Sequence, residues 1–179
     1  MSKKIVYIRH GSDERRNYQH DEELTSDGKK MARNLAKKLI EKYGIPDVIY
    51  YSPFYRTRQT RKYMIKEVKK YRDRLSDNHE EKNKKIKLKL DPKLGRFFTK
   101  KEKKRPDIHS STHSKSPIID ETWEEFQSRV EIQMNDVLTN EYKIIWNITH
   151  TLVLLRIAKL QNIERNPHVE YMDTVIINL

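Results

Sequence analysis

The chain alternates short apolar runs with longer charged segments, and this alternation constrains the fold more than any other feature. The runs KIVYI, DVIYY and KIIWNIT are short, continuous and rich in β-branched residues, which predicts buried strands. IKLKL and the terminal VIINL are two further predicted strands. Between them, apolar residues recur every three or four positions, as they do in amphipathic helices. Strands that alternate with helices predict a layered α/β fold with a largely parallel sheet.

Several helix starts are marked by capping residues. The helix that follows the first strand is predicted to be capped by Thr25 or Ser26, whose hydroxyls can accept a hydrogen bond from a free backbone N–H. After the second strand, Ser52 is the predicted N-cap and Pro53 the first helical residue. A third helix, before KIIWNIT, is predicted to begin at Asp120.

Composition limits the kinds of partner and compartment. The 179 residues are predicted to form a single domain over 1–179, and the absence of cysteine excludes disulfides and thiolate chemistry. Nothing resembles a signal peptide and the longest apolar stretch is too short to span a bilayer, so we expect a cytoplasmic protein with no membrane partner. The net charge of +12 predicts attraction to anions, whether nucleic acid, an anionic surface or a phosphorylated substrate.

The positive charge is concentrated in two dense runs, KNKKIKLKL and TKKEKKRP. The second lies in a stretch with no periodicity, which predicts a basic irregular insertion or lid at about 98–117. Neither run carries the interleaved aromatic residues of a base-stacking surface, so nucleic acid is the least favoured partner. The oligomeric state is left open by the sequence.

Three polar clusters follow three different predicted strands. Arg9 and His10 come directly after the first, Arg56 lies in the opening turn of the helix after the second, and His150 follows KIIWNIT. Strand-to-helix junctions of a parallel sheet share one edge, where ligands bind. Helix N-termini at that edge add backbone N–H groups that favour phosphate. The sequence therefore predicts a phosphoryl-binding site built from these four side chains.

The motifs around these residues resemble a known family. IRHGS with Asn17 after it, LTSDGKKMA, YSPFYRTRQT and the strand ending in THT occur in the order found in the histidine phosphatase superfamily, also called phosphoglycerate mutase-like. The chain is similar to the short phosphatase-type members of its branch 1. This resemblance implies a three-layer α/β/α sandwich with a mostly parallel, mixed central sheet. It also implies a phosphatase that needs no metal and no cofactor, and whose partner is a phosphorylated small molecule or a phosphoprotein.

The resemblance further implies a role for each motif residue. His10 would be the nucleophile that becomes a phosphohistidine, with its other ring nitrogen donating to a backbone carbonyl. Arg9 and Arg56 would bind the phosphoryl oxygens with planar forks of donors, and His150, if protonated, would donate as well. The implied phosphate pocket consists of Arg9, Gly11, Asn17, Arg56, His150 and Thr151.

The general acid that would protonate the leaving group is not identified. Where the family commonly carries a glutamate, after DPKLG, this chain has Arg96. The carboxylates that remain as candidates are Asp91, Glu102, Asp107, Glu121 and Glu124. A phosphohistidine substrate needs less help from an acid than a phosphate ester does. The alternative is a catalytically weak or inactive relative that binds phosphorylated or nucleic-acid partners.

Overall fold

The computed structural model describes residues 2–14, 22–75, 84–98 and 120–179, which form a sheet with helices on both faces. The described strands are β1 (Lys4–Arg9), β2 (Val48–Tyr51), β3 (Lys87–Leu90), β4 (Ile144–Thr149) and β5 (Thr174–Asn178). The described helices are α1 (Ser26–Tyr43), α2 (Tyr55–Arg74), α3 (Trp123–Thr139) and α4 (Thr151–Leu160), with one 3₁₀ turn at Pro92–Leu94.

The sheet has the strand order β3-β2-β4-β1-β5. Strands β1 to β4 pair in parallel, and β5 pairs antiparallel with β1 at the edge. The sheet is therefore mixed but mostly parallel, which confirms the predicted three-layer α/β/α sandwich. Because β1 and β4 lie inside the sheet, with helices on both faces, their sequences are continuous apolar runs rather than alternating ones.

Successive residues of β1 supply the cores on opposite faces of the sheet. Ile5 and Tyr7 pack in one core cluster with residues of α3 and α4. Val6 and Ile8 pack in the other, with residues of α1 and α2. All four side chains are fully buried, so packing on both faces of the sheet holds β1 in place up to its last residue, Arg9.

Two of the predicted helix starts are wrong and one is confirmed. Thr25 caps α1, since its hydroxyl accepts from the backbone N–H of Gly28 at 2.9 Å. Ser52 and Pro53 do not open α2, which begins at Tyr55 with Phe54 at the N-cap. Ser52 instead extends the sheet, because its backbone N–H donates to Ile148 O at 3.0 Å.

The third start lies three residues beyond Asp120. Helix α3 begins at Trp123, and Thr122 and Glu125 form a reciprocal capping box. The Thr122 hydroxyl accepts from Glu125 N at 3.2 Å, and the Glu125 carboxylate accepts from Thr122 N at 2.7 Å. Two backbone donors are satisfied in this way, which fixes the start of the helix.

The segment after β1 and the first turn of α1 touch backbone to backbone. A Cβ atom on Gly28 would lie 2.1 Å from Ser12 O, and one on Gly11 would lie 2.7 Å from Gly28 O. Thr25 strengthens the same contact, since its backbone N–H donates to Ser12 O at 2.9 Å. Both glycines are therefore required by this close approach.

Apart from Phe98, the predicted insertion at 98–117 lies outside the described residues. Among the helices of the described part, none has the length and apolar character needed to cross a membrane.

The close contact at Gly28 predicts that replacing this helical glycine by alanine destabilises the protein. Gly28→Ala should lower the free energy of unfolding by about 1–3 kcal/mol through overpacking against the Ser12 carbonyl, although alanine ordinarily stabilises a helix relative to glycine. Urea unfolding followed by circular dichroism measures the change. Asn34→Ala, on the exposed side of α1, is the control and should be close to neutral. A Gly28→Ala protein as stable as the wild type would contradict the contact.

Candidate active site

Arg56 lies between two buried histidines at the carboxyl edge of the sheet. Its Nε–H donates to His10 Nε2 at 3.1 Å, and its Nη2 lies 3.3 Å from His150 Nδ1. The two imidazole rings meet edge to face, with centroids 5.3 Å apart. His10, Arg56 and His150 are each 5% exposed or less. Three segments that are far apart in the sequence are thus brought together where β1, β2 and β4 end.

The contacts of each histidine determine which ring nitrogen carries its proton. His10 Nδ1 lies 2.9 Å from Gly11 O, a carbonyl that can only accept, so Nδ1 is the donor and Nε2 keeps its lone pair. This is the carbonyl contact that the sequence analysis expected for the second ring nitrogen of His10. His150 Nδ1 faces an arginine, which can only donate, so Nε2–H donates to Ser52 Oγ at 3.0 Å.

Both histidines are held in the neutral form. Burial, followed by the positive charge of Arg56, holds the pKa of His10 well below its usual 6.5, while the hydrogen bond to Gly11 acts in the opposite direction. Burial and Arg56 likewise depress the pKa of His150. A neutral His10 has a lone pair on Nε2, which accepts from Arg56 in this state. A neutral His150 accepts from Arg56 in this state, so it is not the protonated donor considered from the sequence.

Arg9 is held by the segment that precedes β5. Its guanidinium donates from Nη1 to Val169 O and lies over the ring of Tyr171, with Cζ 4.1 Å from the ring centroid. Its charge is close enough to His10 to contribute to the lowered pKa of that residue.

Arg96 contributes a further positive charge to the same edge. Its guanidinium lies over Phe98, 4.9 Å from the ring centroid. Phe98 stacks on Phe54, and the ring of Phe54 contacts the ring of His150 edge to face, with centroids 4.8 Å apart. Its charge lowers the pKa of both His10 and His150. The site is therefore strongly cationic, as a phosphoryl-binding site requires.

Residues 5–165 match the family described as the histidine phosphatase superfamily (branch 1). The chain belongs to this superfamily. No curated protein matches the sequence.

Solved structures of the superfamily share the fold at low sequence identity. Bacillus stearothermophilus YhfR is similar with a TM-score of 0.66 and 19% identity, covering 97% of this chain and 90% of that one. Phosphoserine phosphatase from Entamoeba histolytica is similar with a TM-score of 0.61 and 17% identity, covering 97% of this chain and 89% of that one. A candidate phosphohistidine phosphatase, SixA from Agrobacterium tumefaciens, is similar with a TM-score of 0.53 and 12% identity, covering 98% of this chain and 91% of that one. The TM-scores establish the shared fold.

The histidine phosphatase motifs hold one another through residues that do not reach the histidines. Thr60 accepts from Gly11 N at 3.0 Å and donates to Arg56 O at 2.8 Å. Gln59 Oε1 accepts from Leu24 N at 2.7 Å, just before the cap of α1. The motif RTRQT therefore supplies Arg56 to the site, while its Thr60 holds the loop after β1 and its Gln59 holds the segment before α1.

Of the remaining predicted pocket residues, Gly11 and Thr151 lie in the described part and Asn17 lies outside it. The backbone N–H of Gly11 is used by Thr60, so in this state it does not point to a ligand. Thr151 is the first residue of α4, directly after His150 at the N-cap.

Three of the five candidate general acids lie in the described residues. Two of them make hydrogen bonds elsewhere, and the third is exposed on a helix. Asp91 caps the 3₁₀ turn by accepting from Lys93 N at 2.9 Å. Glu121 forms a two-point pair with Arg129, whose Nε donates to it at 2.8 Å. Glu124 is exposed in the first turn of α3. Glu102 and Asp107 lie outside the described residues.

The structure places two residues at the site that the sequence analysis missed. Asp13 Oδ2 lies 3.8 Å from Arg56 Nε, and Tyr171 donates from its hydroxyl to Asp13 Oδ1 at 2.9 Å. The ring of Tyr171 is 5.8 Å from that of His10. For Asp13 a signal existed, its position three residues after His10. For Tyr171 there was none, since it lies in an irregular segment with no motif.

Among the residues that the structure describes, no group of three or more His, Asp or Glu side chains could hold a metal ion. The positive charges that act on the two histidines of the site include those of Arg9, Arg56 and Arg96.

The depressed pKa values predict how stability depends on pH. A buried neutral histidine is protonated more readily in the unfolded chain, so unfolding takes up protons as the pH falls below about 6.5. The free energy of unfolding should therefore decrease as the pH falls from 7.5 towards 5, by up to about 1.4 kcal/mol per pH unit for each histidine. Urea unfolding at a series of pH values measures this slope.

The matched variants are His150→Asn and His10→Asn, each of which should flatten the slope. Asn34→Ala is the control and should keep the wild-type slope. Identical slopes in all four proteins would contradict the buried neutral pair.

Proposed function

We propose that this protein is a metal-independent phosphatase that hydrolyses a phosphomonoester or a phosphoprotein through a covalent phosphohistidine at His10. The observation that carries the proposal is the state of His10. Its Nδ1–H donates to Gly11 O, so the lone pair is on Nε2, where it accepts a hydrogen bond from Arg56 Nε–H in this state. A nucleophile with a fixed tautomer, a lowered pKa and a guanidinium beside it is suited to phosphoryl transfer.

In the first step, a phosphoryl group enters beside Arg56 and takes over its N–H donors. This frees the lone pair of His10 Nε2, which attacks phosphorus as the bond to the leaving oxygen breaks. Charge in the transition state spreads over three equatorial oxygens. The forked donors of Arg56, together with the charges of Arg9 and Arg96, stabilise these oxygens in a largely buried setting.

His150 changes its role when the anion binds. In the free site it accepts from Arg56. A phosphate beside it supplies negative charge that offsets the nearby guanidinium groups and raises its pKa, so that a protonated His150 can donate to a phosphoryl oxygen. Ser52 keeps the ring oriented in both states by its contact with Nε2.

In the second step, water attacks the phosphorus of phosphohistidine and the N–P bond breaks. His10 returns to the neutral form with its proton still on Nδ1, and inorganic phosphate leaves. The hydrogen bond to Gly11 O lets the ring keep this tautomer through both steps.

The substrate class follows from the chemistry of the site. The similar structures include a phosphoserine phosphatase and a candidate phosphohistidine phosphatase, which together support either a phosphorylated small molecule or a phosphoprotein as partner. Nucleic acid is not favoured as a partner, because the arginines of the site converge on a pair of histidines at the sheet edge.

The second candidate function is phosphate-dependent binding with little or no turnover. It is favoured by Arg96, a cation that acts on both histidines and follows DPKLG, where the superfamily commonly carries its glutamate acid. The two functions differ in whether a phosphate is released, so one experiment separates them.

The proposal predicts that His10→Ala abolishes turnover of p-nitrophenyl phosphate, with a loss of at least about 10³-fold in kcat. The wild type, quenched in denaturant after mixing with radiolabelled phosphate donor, should carry an acid-labile and alkali-stable label that His10→Ala lacks. Chelators should leave the wild-type rate unchanged.

The control is His168→Ala, which removes an exposed histidine outside the site and should keep both activity and label. Full activity in His10→Ala would overturn the mechanism. Phosphate binding without any turnover in the wild type would instead support the binding function.

A further inference from the structure

Asp13 is the carboxylate that the described structure places against Arg56. Its Oδ2 is 3.8 Å from Arg56 Nε, the same atom that donates to His10 Nε2 at 3.1 Å. The carboxylate oxygen and the attacking nitrogen are therefore separated by no more than the sum of these two distances. A phosphoryl group in line between Nε2 and its leaving oxygen, followed by one O–H···O hydrogen bond of about 2.7 Å, covers such a span.

The position of Asp13 is fixed by backbone and side-chain contacts. Its backbone forms an antiparallel bridge with Leu24, and the neighbouring Glu14 N donates to Glu23 O at 2.9 Å. The Tyr171 hydroxyl donates to Oδ1 at 2.9 Å, which leaves Oδ2 directed at Arg56. The side chain is 15% exposed, so it is largely buried but can still exchange protons with water.

We propose that Asp13 is the general acid and base of this site, and that Tyr171 positions its carboxyl group. This inference rests on the proposed phosphatase function. It assigns the proton transfer to a residue outside the position of the glutamate of the superfamily, which Arg96 occupies here. It also differs from all five carboxylates that the sequence analysis considered.

The proton balance closes with the groups present. A phosphate monoester that binds as its monoanion brings one proton, and its transfer to Asp13 leaves a phosphoryl dianion beside Arg56. When Nε2 forms its bond to phosphorus, the bond to the leaving oxygen breaks and Asp13 gives that oxygen the proton. Asp13, now a carboxylate, accepts a proton from the water that attacks phosphohistidine, and the N–P bond breaks. Asp13 then returns this proton to the product, which leaves as the phosphate monoanion, so the carboxylate is restored.

A general acid has a signature that a structural carboxylate lacks. Its loss matters most when the leaving group is a poor one, because a stable leaving anion needs no proton. The rate should therefore depend more steeply on the acidity of the leaving phenol in Asp13→Asn than in the wild type. A residue that only braces Arg56 would slow all substrates by the same factor.

The test compares a series of substituted phenyl phosphates, from p-nitrophenyl to p-methylphenyl phosphate, with wild type and Asp13→Asn. We expect a loss in kcat/KM of less than about 10-fold for the nitrophenyl ester and about 10²-fold or more for the least acidic phenol. Asp27→Asn, an exposed change of the same charge at the start of α1, is the control and should leave the series unchanged. Circular dichroism and a thermal melt establish that each variant is folded.

Tyr171→Phe provides a second variant that keeps the ring over Arg9 and removes the hydroxyl that donates to Asp13. It should show the same dependence on the leaving group with a smaller loss, which keeps the proposal testable even if Asp13→Asn does not fold. Uniform losses across the series, or no loss, in the folded variants would overturn the role of Asp13.

The outcomes also separate this inference from the function on which it rests. Turnover of p-nitrophenyl phosphate that requires His10 supports the phosphatase whatever Asp13 does. If that turnover exists and the leaving-group series is unaffected by Asp13→Asn, only the role of Asp13 fails. If no turnover requires His10, the proposed function fails and the role of Asp13 fails with it.

Discussion

The burial of Arg56 between two neutral histidines is the constraint on which the site depends. A guanidinium that is only 4% exposed pays a desolvation cost of several kcal/mol, which must be offset by acceptors of hydrogen bonds. His10 Nε2 and His150 Nδ1 are such acceptors only while both rings are neutral. The carboxylate of Asp13 supplies a nearby negative charge. In the phosphatase that we propose, an arriving phosphate dianion replaces these partners with stronger ones, so the burial of Arg56 makes the site selective for anions.

This arrangement is supported by a second set of contacts that never touch the histidines. Thr60 and Gln59 of α2 hold the loops after β1 and before α1, and Ser52 orients His150 from the end of β2. Gly11 and Gly28 let the first turn of α1 reach the loop that carries His10. The motifs therefore constrain one another through backbone groups, and a residue such as Thr60 matters to the site although it has no chemical role in it.

The wrong expectations from sequence have specific physical causes. Ser52 fits an N-cap by residue type, but its backbone N–H donates to β4 and its hydroxyl accepts from His150. Helix α2 therefore begins at Tyr55, two residues after the predicted Pro53. Glu121 fits an acid by residue type, yet Arg129 holds both of its oxygens. The partners of Ser52 come from a distant part of the chain, while the partner of Glu121 lies eight residues along the chain. Residue type alone reveals neither set of contacts.

The sequence by itself determined the layered α/β fold and the residues that converge at its edge, because strand periodicity and parallel topology are local and general properties. It identified His10, Arg56 and His150 as neighbours for the same reason. Only the tertiary structure decided which nitrogen of each histidine carries the proton, and that Asp13 rather than the other described carboxylates faces Arg56. Those outcomes depend on contacts of a few ångströms between residues far apart in the sequence, such as Tyr171 and Asp13. Side-chain contacts of this kind produce no periodic pattern in the sequence.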